Sequence, residues 1–133
     1  MKIDEHVAKA KRFEATIQKL NIEADYEVIN WASMHFCTHL INGALHARGI
    51  TAEDWDIRHT WYLLEDYPDQ ARLAAKLDEE FHQALRALHV FENLRQTHVR
   101  GPGPYGPEIV ARAKIAYDRV KEFCGKTLAA VAR

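Results

Sequence analysis

The chain has 133 residues, with 18 Lys and Arg against 19 Asp and Glu and a formal net charge of −1 when histidines are neutral. That length suits one domain, residues 1–133, with a core of its own, and the near-balance of charge excludes a protein that coats nucleic acid through bulk charge. The 47% hydrophobic content is ordinary for a globular protein, whereas eight histidines are an excess that titrates near neutrality.

Taken in chain order, Val7, Ala10, Phe13, Ile17 and Leu20 recur at three and four residues and predict an amphipathic helix over 4–20, which Asn21 breaks. Tyr26, Ile29, Ser33, Phe36, Leu40, Gly43 and Ala47 predict a second helix over 23–48, with Gly49 placed to end it. No Asp, Glu, Lys or Arg occurs from Val28 to Ala47, a run long enough to cross a bilayer. It carries His35, His39, His46, Asn30, Asn42, Ser33 and Thr38, too many polar groups for lipid, and reads as the central helix of a bundle. No membrane association is expected. Thr51 followed by Ala52, Glu53 and Asp54 resembles a cap with an acidic first turn and predicts a short extra helix over 52–66.

Pro68 and Asp69 suit the start of a third long helix, whose stripe is Ala74, Leu77, Phe81, Ala84, Leu88 and Phe91 and whose register continues to Arg95 and His98. The GPGPYGP run at 101–107 forms a stiff loop, and its prolines lack the backbone donors of a phosphate cradle. Pro107 and Glu108 open a last helix with Ile109, Ala113, Ala116, Val120, Phe123 and Thr127 on its seam. The pattern is all-α: an antiparallel four-helix bundle with a short extra helix.

Charge is unevenly distributed along this pattern. Residues 1–50 carry six bases and six acids, residues 51–92 four and ten, and residues 93–133 eight and three, so a −6 segment precedes a +5 one. A basic end of this kind suits a local anion contact. Cys37 and Cys124 are far apart, in no Cys-x-x-Cys pair, and read as buried thiols. With a charged start that lacks the apolar core of a signal peptide, they make a cytoplasmic location the expectation.

Three groupings carry candidate chemistry. His35 and His39 are four apart on a helix, where two imidazoles can share a metal, but with Asn42 and His46 they form an uncharged polar face opposite the core stripe. Such a face fits a subunit interface or packing better than open water, so an interface is preferred to a metal site there. Glu79 and His82 form a lone Glu-x-x-His without the repeat that a di-metal bundle needs. Arg95 and His98, three apart near a helix end, would share a face of an α-helix, with Arg100 beside them. Arginine can fork onto a phosphate while histidine moves a proton, or all three can simply complement the helix dipole. His6, His59, His82 and His89 show no shared role. Neither a metal nor a cofactor is expected.

Asp25-Tyr26-Glu27, the run Trp31 to His39, and Ala47-Arg48-Gly49-Ile50 resemble the second helix of HEPN-like proteins; Asp56-Ile57-Arg58-His59 resembles the following loop. Leu94 to Arg100, the glycine-containing loop and an alanine-rich last helix resemble the family's final third, so the likeness spans roughly residues 5–125. The resemblance implies a helical bundle that often dimerises. It also implies, for some members, toxin ribonuclease activity beside a nucleotidyltransferase-like antitoxin. In ribonuclease members about four to six residues separate an arginine from a histidine, whereas two residues separate Arg95 from His98. The expected function is therefore a homodimeric binding or interaction module that recognises a nucleotide, RNA or protein partner through Arg95, His98 and Arg100. The alternative is a metal-independent endoribonuclease using Arg95 and His98. By the same analogy His39 and His59 come next in interest.

Overall fold

The computed structural model describes residues 1–58, 60 and 75–131. Among these the chain is all-helical, with four helices packed as a bundle: α1 (Ile3–Ile17), α2 (Tyr26–Ala47), α3 (Glu79–Leu94) and α4 (Pro107–Val131). A π-helical turn, Arg95–Arg100, extends α3. Among the described residues, no helix is long and apolar enough to cross a membrane.

The α2 helix is central because it can be. Its charge-free run buries Ala32, Ser33, Met34, Phe36, Cys37, Leu40, Ile41, Asn42, Gly43, Ala44, Leu45 and His46, which covers the whole circumference and lets α1, α3 and α4 all pack on it. Helix α3 contributes Phe81, Ala84, Leu88 and Phe91, as its stripe predicts, and α4 contributes Ala113, Ala116, Val120, Phe123 and Thr127. Phe36 stacks on Tyr117 with centroids 4.4 Å apart, and Phe81 meets Phe123 edge-on at 5.1 Å, so aromatic contacts tie α4 to both neighbours.

The ends of the helices show why the chain turns where it does. Gly49 has φ 67°, a left-handed geometry that glycine adopts without a Cβ penalty. The Gly49 N–H donates to His46 O and the Ile50 N–H to Leu45 O, the paired bonds of a glycine-terminated helix. The chain is thereby folded back along α2. Helix α3 is capped by the Asp78 carboxylate, which accepts from the Phe81 N–H at 2.8 Å.

Two expected boundaries shift. Residues 51–58 are not helical: Thr51 O and both backbone groups of Ile57 pair with the His46 and Asn42 side chains of α2; the remainder of the short helix expected over 52–66 falls, apart from Thr60, outside the described residues. The third helix begins at Glu79 rather than near Pro68, with 75–78 non-helical. Asp78 supplies the capping carboxylate there, and Pro68 and Asp69 lie outside the described residues.

Candidate functional site

The uncharged polar face of α2 is turned inward, against α1 and the returning segment 51–57. Asn42 is 2% exposed; its Oδ1 accepts from the Ile57 N–H at 2.8 Å, and its Nδ2 donates to Ile57 O at 3.0 Å and Thr38 O at 3.1 Å. One amide side chain thus pairs with both backbone groups of Ile57 and fixes the neighbouring Asp56 over α2. His46 and Asn42 are corrected from a subunit interface to an intrachain one: both are buried within the single chain. His35 and His39 are half-buried. The absence of charge on this face is explained by the helix that covers it.

Asp56 is where the segment meets the histidines. Its Oδ1 lies 2.8 Å from His46 Nε2 and 2.9 Å from His6 Nε2. His46 Nδ1 is 2.8 Å from Thr51 Oγ1 and 3.3 Å from Thr51 O. His6 Nδ1 is 3.0 Å from His39 Nδ1. The Met1 ammonium donates to Glu53 O at 2.7 Å and reaches Asp56 Oδ2 at 3.2 Å. His6, His46 and Asp56 are the set of three among the described residues whose donor atoms lie within metal-ligating reach of one another.

Electrostatics in the cluster follow from burial and contact. Burial lowers His6 against the opposing pull of Asp56, and burial with the nearby His6, His35 and Lys9 charges brings His39 down to about 4. Burial would raise the Asp56 carboxyl, but the His46 and His6 hydrogen bonds hold it below its ordinary value. The result is an anionic carboxylate facing imidazoles, with His6 and His39 kept neutral.

His6 was without a role by sequence, although a signal existed. Stepping back one turn from Ala10 along the α1 stripe lands on His6 as readily as on Val7, and His6 is the buried residue of the two, at 1% exposure. Asp56 had no such signal, because its position depends on the Asn42–Ile57 pairing across 15 residues.

The second candidate region is the end of α3. Arg95 is half-buried, His98 buried and Arg100 exposed. The π-helical turn separates what an α-helix would align: the wider i→i+5 winding rotates residues three apart away from one another. His98 turns inward, its ring edge-on to Tyr26 at 6.2 Å. A Cβ on Gly103 would sit 2.6 Å from His98 Nδ1, so only glycine lets the loop close over this ring. Nδ1 is buried without a hydrogen-bond partner, which favours the proton on Nε2, since a buried N–H left unpaired costs more than a lone pair. The Gly103 N–H donates to Thr97 O at 2.8 Å and Tyr26 Oη donates to Gly103 O at 2.5 Å. The predicted stiff loop is thus clamped at its middle glycine.

Arg95 belongs with different neighbours. Burial and the Arg95 charge both lower His35, whose ring stacks on Phe13 at 5.4 Å and meets Trp31 at 4.6 Å. Trp31 is 42% exposed. The π-helical turn packs against α2, so the Arg95 charge lies within electrostatic reach of His35, whose ring meets the open indole of Trp31.

Other sequence candidates are not brought together. Glu79 pairs with Arg86 at 2.7 Å, His82 is half-buried, and His89 is exposed near Glu92; His59 lies outside the described residues. Cys37 and Cys124 are free and buried, and burial pushes the Cys124 thiol up to about 12. Comparison with protein-family models, curated proteins and solved structures finds no match.

Proposed function

We propose that this chain is a HEPN-like binding module that recognises a phosphate-bearing base, as a nucleotide or in single-stranded RNA, at the Trp31–His35–Arg95 patch. The carrying observation is the 42% exposure of Trp31 against the His35 ring at 4.6 Å, with a half-buried arginine on the adjoining π-helical turn whose charge reaches His35. An open indole offers a stacking face to any base, and a guanidinium forks onto phosphate oxygens. Arg100, exposed at the end of the same turn, extends the positive edge.

A binding role is preferred to endoribonuclease chemistry because the His98 ring is closed beneath Gly103, whereas a general acid or base must reach its substrate's proton. Homodimerisation, a nucleotidyltransferase-like protein partner and a cytoplasmic setting belong to this reading through the family resemblance and the two buried thiols. The test is fluorescence anisotropy with a short labelled single-stranded RNA at low salt. Arg95→Ala and Trp31→Ala are each expected to weaken binding about tenfold, the size of one stacking or forked contact. No binding by the wild type, or wild-type affinity in both variants, overturns it. RNA cleavage in the presence of chelator, abolished by His98→Ala, would establish the ribonuclease reading instead.

A further inference from the structure

We propose that His6 Nε2, His46 Nε2 and Asp56 Oδ1 form a binding site for a divalent transition ion of the zinc type, a role separate from the Trp31–Arg95 patch. Two imidazoles and one carboxylate suit such ions, whereas magnesium and calcium prefer all-oxygen sites. The three donors arrive from three parts of the chain, α1, α2 and the segment returning along α2, and their tips converge.

Two further observations separate this cluster from an ordinary buried ion pair. A metal-bound imidazole uses its second ring nitrogen to donate to an acceptor that fixes the ring. Both rings have that acceptor in place: Thr51 O and Oγ1 for His46 Nδ1, and His39 Nδ1 for His6 Nδ1. The cluster is also accessible from one side. A cleft of about 430 Å³ lined by Asp54, Trp55, Asp56 and Arg58 opens onto the carboxylate, and the Asp56 side chain is 31% exposed. A metal held here has three protein ligands and a remaining position toward that cleft, the arrangement of zinc ions that bind water or substrate.

The geometry needs only a small adjustment. Hydrogen-bonded, the Nε2 and Oδ1 atoms are 2.8–2.9 Å apart, while bonds of about 2.0–2.1 Å to a tetrahedral ion separate ligand atoms by about 3.3 Å. Asp56 lies outside any helix, so the carboxylate can withdraw by about half an ångström. Starting from neutral rings, the protons balance without a net release. Each Nε2–H moves to Nδ1 of the same ring, the His46 proton then pointing at Thr51; His6 Nδ1–H points at His39, whose own proton shifts to Nε2. Asp56 Oδ2 keeps its contact with the Met1 ammonium.

The experiment is titration of the intact, chelator-treated protein with Zn²⁺ and Co²⁺, followed by calorimetry, visible absorption and histidine-ring NMR. One equivalent bound at micromolar concentration is expected, with the d–d absorption of four- or five-coordinate cobalt and with shifts confined to His6, His46 and the adjoining His39 among the assigned rings. Asp56→Asn keeps an oxygen that accepts from both histidines, so it retains the fold by circular dichroism while weakening binding about 100-fold. His46→Gln behaves alike. No stoichiometric binding, undisturbed His6 and His46 signals, or an affinity unchanged in Asp56→Asn overturns the site. The wild-type cobalt spectrum and ring shifts decide the matter even where a variant fails to fold.

Discussion

His6 Nδ1 and His39 Nδ1 face each other at 3.0 Å, a separation at which one nitrogen carries the proton and the other accepts it. His6 must donate from Nε2 to the anionic Asp56, and burial keeps its ring neutral, so in the metal-free protein His39 is the donor. A chain of fixed tautomers therefore runs from α1 into α2 and on to Asp56.

Breaking that chain is expected to be costly. His6 is 1% exposed, and His6→Ala removes the ring that pairs with both His39 and Asp56. It is expected to destabilise by about 2–4 kcal/mol, from lost packing and stranded polar groups. Urea unfolding measures this. A double-mutant cycle with Asp56→Ala, which removes the shared acceptor, is expected to show a coupling of about 1 kcal/mol or more, and strict additivity would deny the connection.

Gly49 offers a test without a steric component. Nothing lies within 4 Å of a Cβ built there, yet φ is 67°. Gly49→Ala is expected to cost about 1–2 kcal/mol through backbone strain alone. Unfolding midpoints would show it, and an unchanged midpoint would mean that the turn does not hold this conformation.

His35 provides a pH dependence with a defined sign. Its folded value lies below the ordinary 6.5 because of burial and Arg95, so below that pH the unfolded chain binds more protons than the folded one. Its contribution to stability is present in full above pH 6.5 and is lost as pH falls through the lowered folded value. Removing Arg95 relieves part of the depression. NMR titration is expected to give a higher His35 pKa in Arg95→Ala than in the wild type; no change would separate Arg95 from this patch.

Arg48 closes the far end of α2 over a pair of aromatic rings. Its guanidinium carbon lies 5.4 Å from the Phe81 centroid and 5.0 Å from that of Phe123, while Nη1 bonds Asp78 at 2.8 Å. Arg48→Lys keeps the charge but loses the planar contact, and about 1 kcal/mol of destabilisation is expected. Thermal or urea unfolding checks it; wild-type stability would reduce the contact to surface decoration.

The bundle was legible because its signals are local. Three- and four-residue stripes located α1, α2 and α4 to within a few residues, and the charge-free run from Val28 to Ala47 identified the central helix. Asp78 was harder to identify as the start of α3, because Pro68 and Asp69 also carry a start signal. The π-helical turn is not legible at all: nothing in Arg95–Arg100 distinguishes i→i+5 winding from an α-helix, in which His98 and Arg95 would share a face. The histidine cluster failed to show for another reason. The sequence marks its face as uncharged, but what covers it comes from positions 6 and 56, and only tertiary packing relates those to position 46.

The spacing of those positions also orders events in time. His46 and Asp56 are ten residues apart, whereas His6 and Asp56 are fifty apart, a difference worth about 1.4 kcal/mol in loop-closure entropy. The short loop behind Gly49 can close before the first helix docks, leaving a two-donor half-site that waits for its third wall. Transient release of α1 would reopen the cluster while the core around α2, α3 and α4 stays intact. Amide exchange in α1 faster than in α2 would register that hinge, and it makes the first helix the door of the molecule rather than part of its foundation.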